Sequence, residues 1–75
     1  MTESEMLIAG ILLAVVRGKT TVAQLKRKLA DGLAVVEAVG PKNCEPGFVD
    51  GLAAVESAIT RIEHARVKYD RQKNN

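Results

Sequence analysis

The chain contains very few of the residues that cross-link small domains or bind metals in them. Among its 75 residues there is one cysteine (Cys44), one histidine (His64) and no tryptophan. A single cysteine excludes an intrachain disulfide and a cysteine-built zinc site, and we expect no metal or other cofactor. A lone thiol also favours a reducing compartment, so we expect a cytoplasmic protein. A chain this short lies near the lower limit for folding alone, and we expect homo-oligomerisation to supply the missing stability.

The chain also lacks a strong excess of charge of either sign. Eleven Lys and Arg residues oppose nine Asp and Glu residues, which gives a formal net charge of +2. This balance does not by itself indicate a nucleic-acid partner. Apolar residues make up 47% of the chain, which excludes a disordered protein, and with only one Phe and one Tyr the core has to be aliphatic.

No apolar run is long enough to cross a bilayer. The longest, residues 6–16, would span about 16 Å as a helix, whereas a membrane-spanning helix needs about 20 apolar residues. The segment before it carries Glu3 and Glu5 instead of the positive charges of a signal peptide. We therefore expect no membrane role for this run.

Capping and breaker residues predict an all-α protein with three helices in one domain, residues 1–71. The predicted helices cover about 3–17, 22–39 and 46–71. The loop at 40–47 contains two glycines and two prolines, and it is expected to join the second and third helices into an antiparallel hairpin. Residues 72–75 are predicted to be a frayed polar tail.

Both early helix starts have the sequence of a capping box. Thr2 is followed three residues later by Glu5, and Thr21 is followed by Gln24 at the same spacing. In such a box the threonine hydroxyl accepts from a backbone N–H and the acidic or amide side chain reaches back. Gly18 is placed to end the first helix in the left-handed conformation.

Two glycines inside the predicted helices need an explanation. Gly10 lowers helix propensity, so it is expected to mark the close approach of another backbone. Gly32 either marks a break in the second helix or is a position against which a neighbour packs. We favour a continuous helix, because Leu33, Val36 and Val39 continue the apolar stripe beyond Gly32.

The third helix carries two parallel rows of side chains. Large side chains recur at heptad spacing, and Arg66 occupies one position of that seam. A row of small residues runs beside it, at Gly51, Ala54, Ala58 and Ala65. This combination predicts a helix that packs closely against more than one neighbour.

The first helix is apolar on every side, so it has to be covered on every side. Two companion helices in one short chain can cover only part of it. We therefore expect helix 1 to pack against a symmetry mate in a homodimer or higher helical oligomer. The predicted oligomer interface consists of Leu7, Ile8, Ile11, Leu12 and Val15.

Residues 18–21 resemble the end of a phosphate-binding loop without completing it. Gly18 and Lys19 match that pattern, but Leu13 stands where the first glycine is required, and a helix precedes the segment instead of a strand. What remains is a candidate anion site at a helix N-terminus, formed by Lys19, Thr20 and Thr21. An ordinary capped turn is the simpler interpretation.

Basic residues cluster in two places and form a candidate nucleic-acid surface. They are Lys26, Arg27, Lys28, Arg66, Lys68 and Arg71. The first three fan widely around their helix, and cations near a helix C-terminus are ordinary partners of its dipole. A solvated surface is therefore the simpler interpretation.

No enzyme signature is present, and neither Cys44 nor His64 has a catalytic partner at a diagnostic spacing. The leading hypothesis is a non-enzymatic interaction protein, a small accessory factor or inhibitor of bacterial or phage type that binds another protein. One alternative is a phosphate or nucleotide binder that uses residues 18–21 at a subunit interface. The other is a nucleic-acid-binding protein that uses the basic residues.

Overall fold

The computed structural model describes residues 1–73 and places the side chains of residues 1–68. It contains three α-helices, α1 (Glu3–Val16), α2 (Val22–Val39) and α3 (Pro46–Lys73), and a short 3-10 helix at Pro41–Asn43 between α2 and α3. No strand occurs in these 73 residues, so the predicted all-α, three-helix chain is confirmed. The frayed tail stays a prediction: Gln72 and Lys73 belong to α3, and residues 74–75 lie outside the described residues.

The starts of α1 and α2 show how far the capping predictions hold. At α2 the full box forms: the Gln24 N–H donates to Thr21 Oγ1 at 3.2 Å, and the Thr21 N–H donates to Gln24 Oε1 at 3.1 Å. At α1 the Glu5 N–H donates to Thr2 Oγ1 at 3.2 Å, but the Glu5 side chain does not reach back.

The end of α1 is a Schellman motif. Gly18 has a φ of 74°, its N–H donates to the Val15 carbonyl at 3.1 Å, and the Lys19 N–H donates to the Ala14 carbonyl at 2.9 Å. This motif requires the left-handed conformation that Gly18 was predicted to adopt. The last helical residue is therefore Val16, one residue before the predicted end, because Arg17 serves as the C-cap.

Helix α2 continues without a break through Gly32, as the sequence favoured. Gly32 is buried, and the Leu52 side chain of α3 occupies the space where a Cβ would lie. The glycine therefore permits two helices to approach closely at this point.

Helix α3 is the central element, because it contacts both α1 and α2, which make little contact with each other. Ile8 of α1 packs against Ala54 and Ala58 of α3 in the core cluster. Leu25 of α2 and Ile59 of α3 are also buried. The absence of long side chains at Ala54 and Ala58 lets α1 pack closely on α3. The other two members of the row of small residues do not take part: Ala65 is exposed, and a Cβ at Gly51 would meet no neighbouring element within 4 Å.

The core is small for a chain of this length. Among the described side chains only five hydrophobic residues are buried, two of them alanines, and no large side chain is completely buried. Several large apolar side chains remain exposed, including Met6 at 61%, Leu13 at 47% and Val16 at 82%. None of the helices in residues 1–73 combines the length and apolar character needed to cross a membrane.

We predict that Gly32→Ala and Gly51→Ala have opposite effects on stability. At position 32 a Cβ would overlap Leu52 Cδ2 and lie 3.1 Å from Cδ1 and 3.2 Å from Cγ, so rotating one methyl cannot relieve the contact. We expect a net loss of about 1–2 kcal/mol in the free energy of unfolding from overpacking. Position 51 has no heavy atom within 4 Å of the added Cβ. There, alanine should gain about 0.5–1 kcal/mol through helix propensity.

The measurement is urea unfolding followed by circular dichroism, with all three proteins at one concentration. Equal gains for both variants would show that the Gly32–Leu52 contact does not limit the approach of α2 and α3.

Candidate functional site

The candidate anion site at residues 19–21 is largely occupied by its own hydrogen bonds. The Thr20 hydroxyl donates to Gln24 Oε1 at 3.2 Å, and Thr21 Oγ1 accepts the Gln24 N–H of the capping box. The Lys19 N–H belongs to the Schellman motif. Three backbone N–H groups, those of Thr20, Val22 and Ala23, and the Lys19 ammonium are then the donors left for an anion in the described structure. The local geometry is therefore that of a well-capped turn.

Lys19 and Thr20 nevertheless border a groove between α1 and α2. Its volume is about 430 Å³, and Lys28 of α2 lies at its edge as well. Its walls are otherwise apolar or glycine: Met6, Leu7, Gly10, Ile11, Ala14 and Leu25. The structure thus brings two cations and a hydroxyl to the edge of an apolar groove, an arrangement that the sequence did not reveal.

The basic side chains of α2 and α3 that the structure describes lie in different surroundings. Lys26 Nζ lies 3.3 Å from Glu63 Oε1 on α3, with both side chains about half exposed. This ion pair directs Lys26 toward α3 and offsets its charge. Lys28 borders the groove between α1 and α2 and also a second groove, between α2 and α3. Arg27 is exposed on the same helix. Lys68 is exposed on α3, and the side chain of Arg71 lies outside the described side chains.

An apolar recess lies where the last turn of α1 meets α3. We call it the end recess: its volume is about 620 Å³, and it is lined by Leu12, Val15, Val16, Ile62 and Ala65, with Arg61 and Arg66 also contributing. Arg66, which the heptad pattern placed in an apolar seam, therefore stands beside an open apolar surface. A second cation at Arg61 gives the recess a positive border.

The five α1 residues assigned to an oligomer interface fall into three groups. Ile8 is buried inside the chain against α3, so its surface is already covered. Ile11, Leu12 and Val15 are half-buried, and Leu7 is 44% exposed. The assignment of this set to an interface stays a prediction, and three other apolar side chains of α1 are more exposed: Met6 at 61%, Leu13 at 47% and Val16 at 82%.

Met6 and Leu13 lie on the outer stripe of α1, which we define as Glu3, Met6, Gly10, Leu13 and Arg17, whereas Val16 lies at the end recess. All five residues are exposed. Their spacing of three and four residues places them on one face of the helix. Gly10 has no other element within 4 Å of its would-be Cβ, so the close approach predicted there does not occur within the chain. The heptad spacing was visible in the sequence, but the uniformly apolar run concealed which face α3 would cover.

The chain's only cysteine and histidine remain apart from these surfaces. The Cys44 thiol is half-buried in the α2–α3 loop and donates to the Gly40 carbonyl at 3.5 Å. His64 is exposed on α3. Neither residue borders the end recess or the groove between α1 and α2.

Comparison of the chain with protein-family models, with curated proteins and with solved structures gives no match.

We predict that Thr21→Ala is clearly more destabilising than Thr20→Ala. Removing Thr21 Oγ1 leaves a helix N–H without its cap, and such losses typically cost about 1 kcal/mol. The Thr20 hydroxyl donates only to an exposed side-chain oxygen, so its removal should cost less than about 0.5 kcal/mol. Urea unfolding monitored by circular dichroism compares the two variants. Similar losses at both positions would mean that the capping box does not anchor α2.

Proposed function

We propose that this chain is a non-enzymatic helical interaction protein that works as a homo-oligomer and binds a protein partner. We place it in the cytoplasm as a small accessory factor or inhibitor of bacterial or phage type. The observation that carries the proposal is the apolar surface that the protomer leaves open on the outer stripe of α1 and in the end recess. Open apolar patches of this kind are typical of protein interaction sites.

The small core supports the oligomeric part of the proposal. With five buried hydrophobic residues among the described side chains and none of the large ones completely covered, the protomer buries little apolar area by itself. Association that covers Met6, Leu13 and Val16 would add burial that a single copy lacks. Stability and assembly are then linked, as in many small dimers.

We further propose that α2 and α3 form an antiparallel hairpin in each protomer. Two contacts support this arrangement: Lys26 pairs with Glu63, and Gly32 faces Leu52. From the first contact to the second, the residue number rises from 26 to 32 along α2 and falls from 63 to 52 along α3. The short connection at residues 40–45 also suits neighbouring antiparallel helices.

The end recess is proposed as the site for the protein partner. Its apolar lining suits the apolar face of a helix, and the guanidinium groups of Arg61 and Arg66 favour acidic residues beside that face. The expected partner segment is therefore an amphipathic helix with flanking Asp or Glu. Arginine beside an apolar pocket is a common feature of binding hot spots.

We predict that Ala65→Glu combined with Arg66→Ala abolishes capture of the partner from a lysate of the source organism. The glutamate places a charge in the apolar recess and the second change removes a cation, so an acidic apolar helix should lose more than tenfold in affinity. Affinity capture followed by identification of the bound protein is the measurement. The identified partner should contain an acidic amphipathic segment whose synthetic peptide competes for binding.

Lys68→Ala is the matched control, because it removes an exposed cation of α3 that does not line the recess. Circular dichroism verifies that each variant is folded. Equal capture by the recess variant and the control, or a partner whose binding no acidic peptide displaces, contradicts the proposal.

The second candidate function is binding of a phosphate-bearing small ligand in the groove between α1 and α2. The specific observation in its favour is that Lys19, Thr20 and Lys28 border one apolar groove. This arrangement suits a nucleotide, because the base can pack on the apolar wall while the phosphates interact with the two cations. The use of the Thr20 and Thr21 hydroxyls in capping weighs against it.

We predict that, if this second function operates, ATP raises the melting temperature of the native chain and Lys19→Ala removes that rise. The ammonium supplies the charge that neutralises phosphate, while the capping bonds do not involve the Lys19 side chain. Differential scanning fluorimetry with ATP and with inorganic phosphate separates nucleotide binding from general anion binding. Arg27→Ala is the control, and an equal response in both variants would exclude this groove.

Nucleic-acid binding has less support from the geometry. Lys26 is paired with Glu63, Lys28 borders the groove between α1 and α2, and Arg66 borders the end recess. A backbone-contacting surface depends on several cations aligned along one face.

A further inference from the structure

The outer stripe of α1 matches a second copy of itself. We propose that two copies of this chain associate through this stripe, with their α1 helices antiparallel and a two-fold axis passing beside Gly10. The inference rests on the homo-oligomer in the proposed function and specifies which surface forms it and in which direction the helices run.

The residues of the outer stripe are regularly spaced and exposed. Residues 3, 6, 10, 13 and 17 follow the alternating spacing of three and four residues that forms a straight seam between two packed helices. Met6 and Leu13, the two large apolar residues of the stripe, are 61% and 47% exposed. Ile8, on the opposite side of the helix, packs against α3, so the stripe faces away from α3, while Met6 and Gly10 also border the groove between α1 and α2. It is available to another molecule without any change in the fold.

The charges at the two ends of the stripe favour antiparallel helices. The stripe has an acidic residue at one end, Glu3, and a basic residue at the other, Arg17, each seven residues from Gly10. An antiparallel pair centred on Gly10 therefore places Glu3 of each copy opposite Arg17 of the other, which forms two ion pairs. A parallel pair would place Glu3 beside Glu3 and Arg17 beside Arg17, and like charges disfavour that arrangement.

Gly10, in the middle of the stripe, suits a position at the two-fold axis. A glycine in the middle of an exposed helix lowers helix propensity, and here no contact within the protomer accounts for it. At a two-fold axis Gly10 of one copy lies opposite Gly10 of the other. Neither copy has a side chain there, so the two backbones can approach closely. Small residues where helices cross are a common means of close packing.

A second copy fits the stripe better than an unrelated partner because the stripe is complementary to itself. An isologous interface requires each feature and its complement to lie on the same surface of one chain. The stripe meets this requirement: its acidic and basic ends are symmetric about Gly10, and its apolar residues lie between them. The end recess, which has cations at its border and no described acidic side chain in its lining, does not meet the requirement.

The first experiment reverses the charges at the ends of the stripe. Sedimentation velocity over a range of protein concentrations should show a dimer for the native chain and about tenfold weaker association for Glu3→Arg and for Arg17→Glu. The double variant restores both ion pairs with reversed polarity, so its association should return to within about threefold of the native value. Glu5→Arg is the matched control: it imposes the same cost at the α1 N-terminus but lies about 120° around the helix from the middle of the stripe.

The second experiment tests the direction of the helices by disulfide formation in a Cys44→Ser background. Gly10→Cys lies beside the proposed axis and should cross-link to its counterpart. Leu13→Cys should not, because antiparallel helices centred on Gly10 separate the two copies of position 13 by about 9 Å along the axis. That separation exceeds the Cα distance of about 7 Å that a disulfide can bridge.

The outcomes separate this inference from the proposed function. A monomer at every concentration overturns both the stripe interface and the homo-oligomer, while partner capture at the end recess can still succeed. An oligomer that is insensitive to charge reversal and unable to cross-link through Gly10→Cys overturns the stripe interface alone. Cross-linking at both positions 10 and 13 would indicate parallel helices and contradict the proposed geometry. Binding of the native monomer to anionic phospholipid vesicles, without dimer formation, would assign the stripe to a membrane surface instead.

Discussion

The structure depends on one contact, the packing of Ile8 on the small residues Ala54 and Ala58 of α3. Because these alanines have short side chains, α1 lies close to α3, and a single face of α1 is turned inward. Helix α2 packs on another part of α3 through Gly32 and Leu52. The two outer helices therefore share α3 as their common support and have little contact with each other.

This arrangement explains why so much apolar surface stays open. A central helix with two neighbours can cover one face of each, but α1 is apolar on all its faces. Its outer stripe remains in water, and the end recess forms where α3 continues past the last turn of α1. A chain that buries so few large side chains would gain stability from any association that covers the exposed ones.

Much of the fold could be predicted from the sequence because the decisive signals are local. The capping box of Thr21 and Gln24 and the left-handed Gly18 involve residues only a few positions apart. Candidate sites were harder to predict, since they depend on what else is nearby. The threonines beside Lys19 look suited to an anion in the sequence, whereas in the structure their hydroxyls are used by Gln24. Conversely, only the structure brings Arg61 and Arg66 to the border of an apolar recess.

The sequence by itself determined where the helices begin, where α1 and α2 end to within one residue, and that the first helix is apolar on all sides. Capping, glycine conformation and apolar content are local properties, and they suffice for those conclusions. Only the tertiary structure decided which side of α1 is inside and which is outside. All sides of that helix are apolar, so its own sequence does not favour the burial of one face over another. The choice comes from residues far along the chain, because Ala54 and Ala58 leave room for Ile8 and thereby turn Met6 and Leu13 toward the solvent.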